Sequence, residues 1–342
     1  MRFINFDKIR TKRNKMTQKI RWGIVGLGNI AEKFAQDLSV VKDTELVSVA
    51  SRSREKAEKF ASKYNVKNAY DSYTSLFHCT EVDVIYIATP HTLHAELSIE
   101  AMSCGKHILC EKPMAVNASQ LKRMIAAAVK NKVFLMEALW SRFLPSIIQT
   151  KVLIGNNTIG AVTHMNVDFA FYGMDRPATG RVLNPNLAGG SLLDIGIYPV
   201  FLAYLILGKP KNILASANFH STGIEKQISV IFNYDNAQAL LYSGLTSNSE
   251  VKAEITGDKG SIILEPRWHH TENLVLNTQG QTERMVVPKL GLGYAHEILE
   301  VNACIRSGKL ESSLWSHQNS LDLINLLDDI RKISGIVFPF EA

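Results

Sequence analysis

The chain has 342 residues, 46% of them apolar, with 38 Lys and Arg against 32 Asp and Glu for a net charge of +6. That length suits two ordinary domains, and the apolar share is that of globular proteins. Within residues 1–19, seven basic side chains against Asp7 account for the whole +6, so the body is neutral and carries no basic footprint for DNA or RNA.

Residues 1–19 read as a basic extension, expected to be disordered, without the apolar segment of a signal peptide. Met16 opens MTQKIRWGIVG, so residues 1–15 are either an extension from an upstream start or a genuine arm. From Ile20 onward strands alternate with helices. Strands are predicted at 20–25, 45–50, 84–88, 107–110 and 133–136, and helices at 29–38, 54–64, 93–104 and 117–130, with Asn117 as a cap. This alternation predicts βαβ units and a parallel sheet. After Trp140 the pattern changes. Helices at 145–154 and 192–207 flank a strand at 162–171. Seven strand-like runs follow at 213–219, 228–234, 237–243, 251–256, 261–264, 274–277 and 284–287, and helices at 294–307 and 316–333 close the chain. The expected architecture is α/β: a Rossmann doubly wound parallel sheet over 20–139, then an α+β domain over 140–342 with a large, mostly antiparallel open sheet. No apolar run reaches the roughly 18 residues of a membrane span, and the longest, 195–207, is interrupted by Pro199.

The four cysteines, Cys79, Cys104, Cys110 and Cys304, form no C-x-x-C pair and fit single thiols in a reducing cytoplasm. His91-x-x-His94 and His269-His270 lack thiols or acids at ligand spacing, so no metal is expected.

Gly26-Leu27-Gly28-Asn29-Ile30-Ala31 is G-x-G-x-x-A between the first strand and the first helix. The first glycine permits a tight turn, the second lets backbone approach a pyrophosphate, and the helix N-terminus offers free N–H groups. An NAD site would place an acid at the end of the second strand. This chain reads Ser51-Arg52-Ser53-Arg54 there, which suits a 2′-phosphate and predicts NADP, with Arg54 as an auxiliary donor. Glu111-Lys112-Pro113 follows the fourth strand, at the sheet edge where ligands bind. Asp194 and Tyr198, behind Gly189-Gly190, are four apart and share one face of a helix.

Together CEKPMAVN (110–117), MEALWSRF (136–143) and the Asp194–Tyr198 helix resemble the glucose–fructose oxidoreductase / inositol dehydrogenase / MocA family. Within it the sequence is most similar to the dimeric dihydrodiol dehydrogenase and NADP-linked D-xylose dehydrogenase branch. Many members carry His at the position of Tyr198. The resemblance implies hydride transfer between NADP and a CH–OH or C=O carbon of a sugar, trans-diol or small polyol. It assigns Lys112, Asp194 and Tyr198 to catalysis. It places Thr89, Pro90, His91 and His94 in the cofactor-lining turn, Glu111, Lys112 and Pro113 beside it, and Trp140 and Arg142 near the nicotinamide. Phe171, Trp268 and Tyr294 are candidates for a substrate pocket, though an aromatic core would also account for them. A homodimer through the C-terminal sheet is expected as well. Tyrosine titrates near pH 10, so a neighbouring Lys112 is expected to lower the Tyr198 pKa. Two other readings fit the same fold: a non-catalytic NADP-binding sensor, and a redox-neutral, cofactor-assisted glycoside hydrolase.

Overall fold

The computed structural model describes residues 18–341, and the expectation of a disordered tail falls almost wholly outside them. The first half is a six-stranded sheet of order β3-β2-β1-β4-β5-β6. Its strands are β1 (Ile20–Val25), β2 (Thr44–Ala50), β3 (Asn68–Tyr70), β4 (Val84–Ile87), β5 (His107–Glu111) and β6 (Leu135–Ala138). All five pairings are parallel. The order reverses at β1 and β4, so the carboxyl ends of those strands open a crevice. Strands β4 (VIYI) and β6 (LMEA) are buried along their whole length, as a parallel sheet covered on both faces requires. The helices are α1 (Asn29–Val40), α2 (Arg54–Tyr64), α3 (Tyr73–Phe77), α4 (His94–Ser103) and α5 (Ala118–Asn131). The Asn117 side chain caps α5 by accepting from the Gln120 N–H at 3.0 Å. Strand β3 and helix α3 were not predicted. At three and five residues they are too short to show a hydrophobic period.

The second half is an eight-stranded sheet of order β14-β13-β12-β11-β7-β10-β9-β8. Its strands are β7 (Val162–Ala170), β8 (Asn212–Phe219), β9 (Glu225–Asn233), β10 (Gln238–Gly244), β11 (Ala253–Gly257), β12 (Gly260–Leu264), β13 (Asn273–Thr278) and β14 (Gln281–Val286), which follow the predicted runs within a few residues. Every pairing is antiparallel except β7 with β10. Helix α6 (Pro145–Gly155) precedes it, and α7 (Ile197–Leu207) lies against β7 and β10. The stretch Pro185–Leu207 is long and apolar enough by composition to cross a membrane, more than the single run 195–207 suggested. Of its most apolar 18-residue part, 78% is nevertheless buried inside the fold, as a core helix would be.

The last two helices bridge the halves: α8 (Ala295–Arg306) packs on α1, while α9 (His317–Ser334) packs on α5 and β6 of the first half and on β8 and α7 of the second. The Asp37 carboxylate on α1 accepts the backbone N–H groups of Leu292 at 2.7 Å and Ala295 at 3.0 Å, which caps α8 from outside. The Trp22 indole donates to Asn302 at 3.3 Å, and the Trp315 indole to Glu137 at 3.1 Å. The hydrophobic core is continuous between the two halves, with α8 packed on α1 and α9 lying between them.

Candidate active site

A cavity of about 930 Å³ opens along the carboxyl ends of the parallel strands and runs to helix α7. At one end lies the glycine loop. Gly26 has φ +89°, and a Cβ there would meet the Ala88 backbone at 2.7 Å, so only glycine lets the loop lie against β4. A Cβ on Gly28 would meet nothing, which leaves the N-terminus of α1 open to the cavity. Among the described residues no side chain caps that terminus, so its N–H groups are available to an anion. Leu27, Asn29, Ile30 and Lys33 line the same end.

Ser51 and Arg52 line the cavity beyond β2, as expected, together with Ser53 and Lys56, which were not expected. Arg54 does not join them. Its guanidinium pairs with Glu58 at 2.6 Å one turn along the exposed face of α2. No carboxylate pairs with Arg52 among the described residues.

Thr89, Pro90 and His91 form the turn after β4 and line the cavity. The Thr89 hydroxyl and His91 Nδ1 are buried without a hydrogen-bond partner among the described residues. Burial, with His94 and Lys112 nearby, drives the His91 pKa down, so the ring is neutral. His94 does not reach the cavity. Its ring nitrogens lie 2.9 Å from the Pro113 carbonyl and 2.8 Å from the Thr89 carbonyl, so it ties the two lining turns together from behind. Pro113 follows a cis peptide and contributes through that carbonyl rather than as cavity wall.

At the other end Lys112 meets the helix that was expected to hold Asp194 and Tyr198. That helix begins as a wider π-turn, Leu192–Gly196, a local form often found at functional sites. The Lys112 ammonium donates to the Asp194 backbone carbonyl and stands 3.6 Å from its carboxylate. It also lies 5.0 Å from the centre of the Tyr198 ring. Asp194 is held more closely by Arg181, whose two terminal nitrogens donate to its two oxygens at 2.7 and 3.2 Å. Burial alone would raise the Asp194 carboxyl, but Arg181 and then Lys112 outweigh it and keep it well below the usual carboxylate range. Burial pulls the Lys112 pKa down, against Asp194 and Glu111. Glu111 accepts from the Tyr86 hydroxyl and from the Lys112 backbone N–H at 3.2 Å.

The Tyr198 hydroxyl accepts from the Trp140 indole at 2.9 Å. The expectation of a lowered Tyr198 pKa is reversed. Burial raises it, Glu111 and Asp194 raise it further, and the phenol stays protonated far above its ordinary range. The physical reason is first the burial of the phenol, and then the Glu111 and Asp194 carboxylates, which also offset the Lys112 and Arg181 cations around it.

The weaker candidates lie elsewhere. Arg142 is buried, donating from Nε to the Leu314 carbonyl at 3.0 Å, and does not line the cavity. Trp268 is fully buried with its indole on the Asp168 carbonyl at 3.0 Å. Tyr294 stacks behind Trp140 at 4.4 Å. Phe171 sits just past β7, against a small separate cluster that includes Ile195 and Leu245. The aromatic surface next to Tyr198 is instead made by Phe169 and His269, which stack at 4.3 Å and lie 5.6 and 5.4 Å from its ring. Arg176 and Arg181, from the loop after β7, complete the lining and were missed.

Residues 20–139 match the model of the oxidoreductase family with an NAD-binding Rossmann fold, and 147–263 match the GFO/IDH/MocA C-terminal domain. The chain is 37% identical to trans-1,2-dihydrobenzene-1,2-diol dehydrogenase of Mus musculus, covering 94% of this chain and 98% of that one. It is 34% identical to scyllo-inositol 2-dehydrogenase (NADP(+)) of Bacillus subtilis, over 94% and 99%. Its fold matches a 3-ketoreductase from Actinomadura kijaniata solved with NADP and TDP-benzene, at TM-score 0.85 and 24% identity over 93% and 98% of the two chains. By the two family models and these full-length relatives, the chain belongs to the GFO/IDH/MocA oxidoreductase family.

Proposed function

We propose that this protein is an NADP-dependent dehydrogenase or reductase acting on a CH–OH or C=O carbon of a sugar, trans-diol or related small polyol. The observation that supports it most is the continuity of one cavity, from an anion-ready glycine loop to a buried phenol beside a lysine. NADP, when bound, supplies or accepts the hydride.

The glycine loop and the start of α1 would hold the pyrophosphate, and Ser51 and Arg52 the 2′-phosphate. Thr89 and His91 present unpartnered polar atoms between the two ends, which suits a polar ligand there. Tyr198 delivers its hydroxyl proton to a carbonyl oxygen during reduction, with Trp140 fixing the hydroxyl and Lys112 orienting the substrate oxygen. Asp194 holds Lys112 and Arg181 in place as a charged brace rather than as a proton carrier, because it is ionised throughout the working range. In this reading 20–139 is the cofactor half and 140–342 the substrate half. A sensor would need the phosphate loop but not this proton donor, and neither the sensor nor the hydrolase reading gains an observation of its own.

The proposal extends to a cytoplasmic homodimer through the open face of the eight-stranded sheet. Leu214, Ile231 and Leu240 stand opposite one another in register, and Leu214 (53% exposed) and Leu240 (38%) present an apolar strip there. Sedimentation at micromolar concentration tests this, and a species at 38.1 kDa would reject it. The activity itself is tested with a panel of aldoses, inositols and trans-diols plus NADP, and of the matching ketones plus NADPH, followed by absorbance of the reduced cofactor. Turnover of at least one polyol or ketone is expected. Tight NADP binding with no turnover across the panel would favour the sensor.

A further inference from the structure

We infer that Glu225, the first residue of β9 (Glu225–Asn233), is the positioning residue that sets the register of the Asp194–Tyr198 helix against the cavity. This rests on the proposal that Asp194 and Tyr198 serve the reaction.

Glu225 is 1% exposed and comes from a different sheet strand than any cavity residue. Its Oε1 accepts the backbone N–H of Leu192 at 2.7 Å, at the first turn of the π-segment. A carboxylate at a helix N-terminus satisfies one of its free donors and suits its dipole. The carboxyl also occupies the space a Cβ would take on Gly190, whose φ is +119°. The Gly189-Gly190 turn therefore wraps this one side chain. The same turn is tied to the Arg181 loop, since Gly190 N–H donates to Val182 O at 2.9 Å and Gly189 N–H to Asn184 O at 3.0 Å. Ile224, next in the chain, packs with Val182 and Ile195, one residue beyond Arg181 and Asp194 respectively. Glu225 thus fixes directly the start of the helix that ends its second turn at Tyr198, and it bears on the Arg181–Asp194 pair through the Gly189-Gly190 turn, which is bonded to Val182 and Asn184 in the Arg181 loop. Burial pushes its carboxyl up to about 7, with the Leu192 N–H opposing. Oε1 accepts that N–H in either protonation state, so the Gln side chain, which keeps a carbonyl oxygen, is a fair mimic.

The test compares Glu225→Gln, Glu225→Ala and Tyr198→Phe with the wild type, using a turned-over substrate and NADPH. Glu225→Gln is expected to keep kcat within about threefold, as the acceptor survives. Glu225→Ala is expected to lose at least about tenfold in kcat with NADPH affinity unchanged, the scale of a catalytic group displaced by a fraction of an ångström. Wild-type kcat in Glu225→Ala, alongside a large loss in Tyr198→Phe, would overturn the Glu225 role alone. A loss in Glu225→Gln as deep as in Glu225→Ala would overturn it too. Wild-type turnover by Tyr198→Phe would overturn the reading on which it rests.

Discussion

The two ends of the cavity are assembled in different ways. At the glycine-loop end the chemistry comes from one short run, 26–30, and from Ser51–Lys56 at the tip of the next strand; both are contiguous in sequence. At the lysine–tyrosine end each group arrives from a separate element: Lys112 after β5, Trp140 after β6, Arg181 from a loop and Tyr198 from α7. Backbone geometry dominates at the first end, and mutual electrostatics at the second. Substitutions should consequently separate them: changes at the loop end alter affinity, and changes at the far end alter rate.

The largest effect expected is on rate. Lys112→Met should lower turnover by about 10² or more while leaving NADPH affinity nearly intact, since positioned polar help to proton transfer is worth about 10²–10⁴. Stopped-flow kinetics and fluorescence titration read the two quantities, and a variant that loses affinity but keeps its rate would erase the contrast between the ends.

Asp194→Asn should cost stability as well as rate. Removing one partner of a buried pair typically costs about 3–5 kcal/mol, and on the order of 2 kcal/mol is expected here because Arg181 is partly exposed. The pH dependence has a definite sign. The folded-state pKa of Asp194 is depressed, so its contribution is present above the unfolded value near 3.8 and is lost as pH falls below it toward the folded value. Urea unfolding of wild type should weaken through that acid window, and the Asn variant should weaken less. Parallel acid profiles would show that the brace is not what stabilises this end.

Smaller effects belong to the other end. Arg52→Ala should cost about tenfold in NADP affinity and nothing for NAD, the loss of one charge-assisted contact. Equal binding of both cofactors by wild type, measured by calorimetry, would remove the basis for NADP selection. Arg54→Ala should change neither, since that guanidinium is spent on Glu58.

The same contrast explains what was legible in the sequence. The glycine loop was readable because its conformation is local: Gly26 must adopt a positive φ and Gly28 must leave room. Lys112, Asp194 and Tyr198 were found by motif, but their electrostatics were not: Arg181, which holds Asp194, comes from a separate loop, and Glu111, though next to Lys112 in the chain, raises the Tyr198 pKa from another element. Arg181 lies in a loop with no period to flag it, 13 residues before the carboxylate it holds. The aromatic surface was missed by one position and by two: Trp268 turns into the core while His269 faces Tyr198, and Phe169, not Phe171, is the ring in contact. The sequence Trp268-His269-His270 was itself the signal, but only the turn it forms decides which of these side chains faces Tyr198.

The claim that most distinguishes this account is that Tyr198 works as a neutral acid, held protonated by its surroundings. The direct measurement is kcat for carbonyl reduction between about pH 6 and 10, bracketing from below the ordinary tyrosine value near 10, in wild type and Tyr198→Phe. The account predicts a wild-type profile with no tyrosine-dependent falling limb in that range, and a Tyr198→Phe rate lower by about 10²–10⁴ throughout. A wild-type rate that falls between about pH 7 and 9, with the fall abolished in Tyr198→Phe, would contradict it and restore the lowered-pKa phenolate.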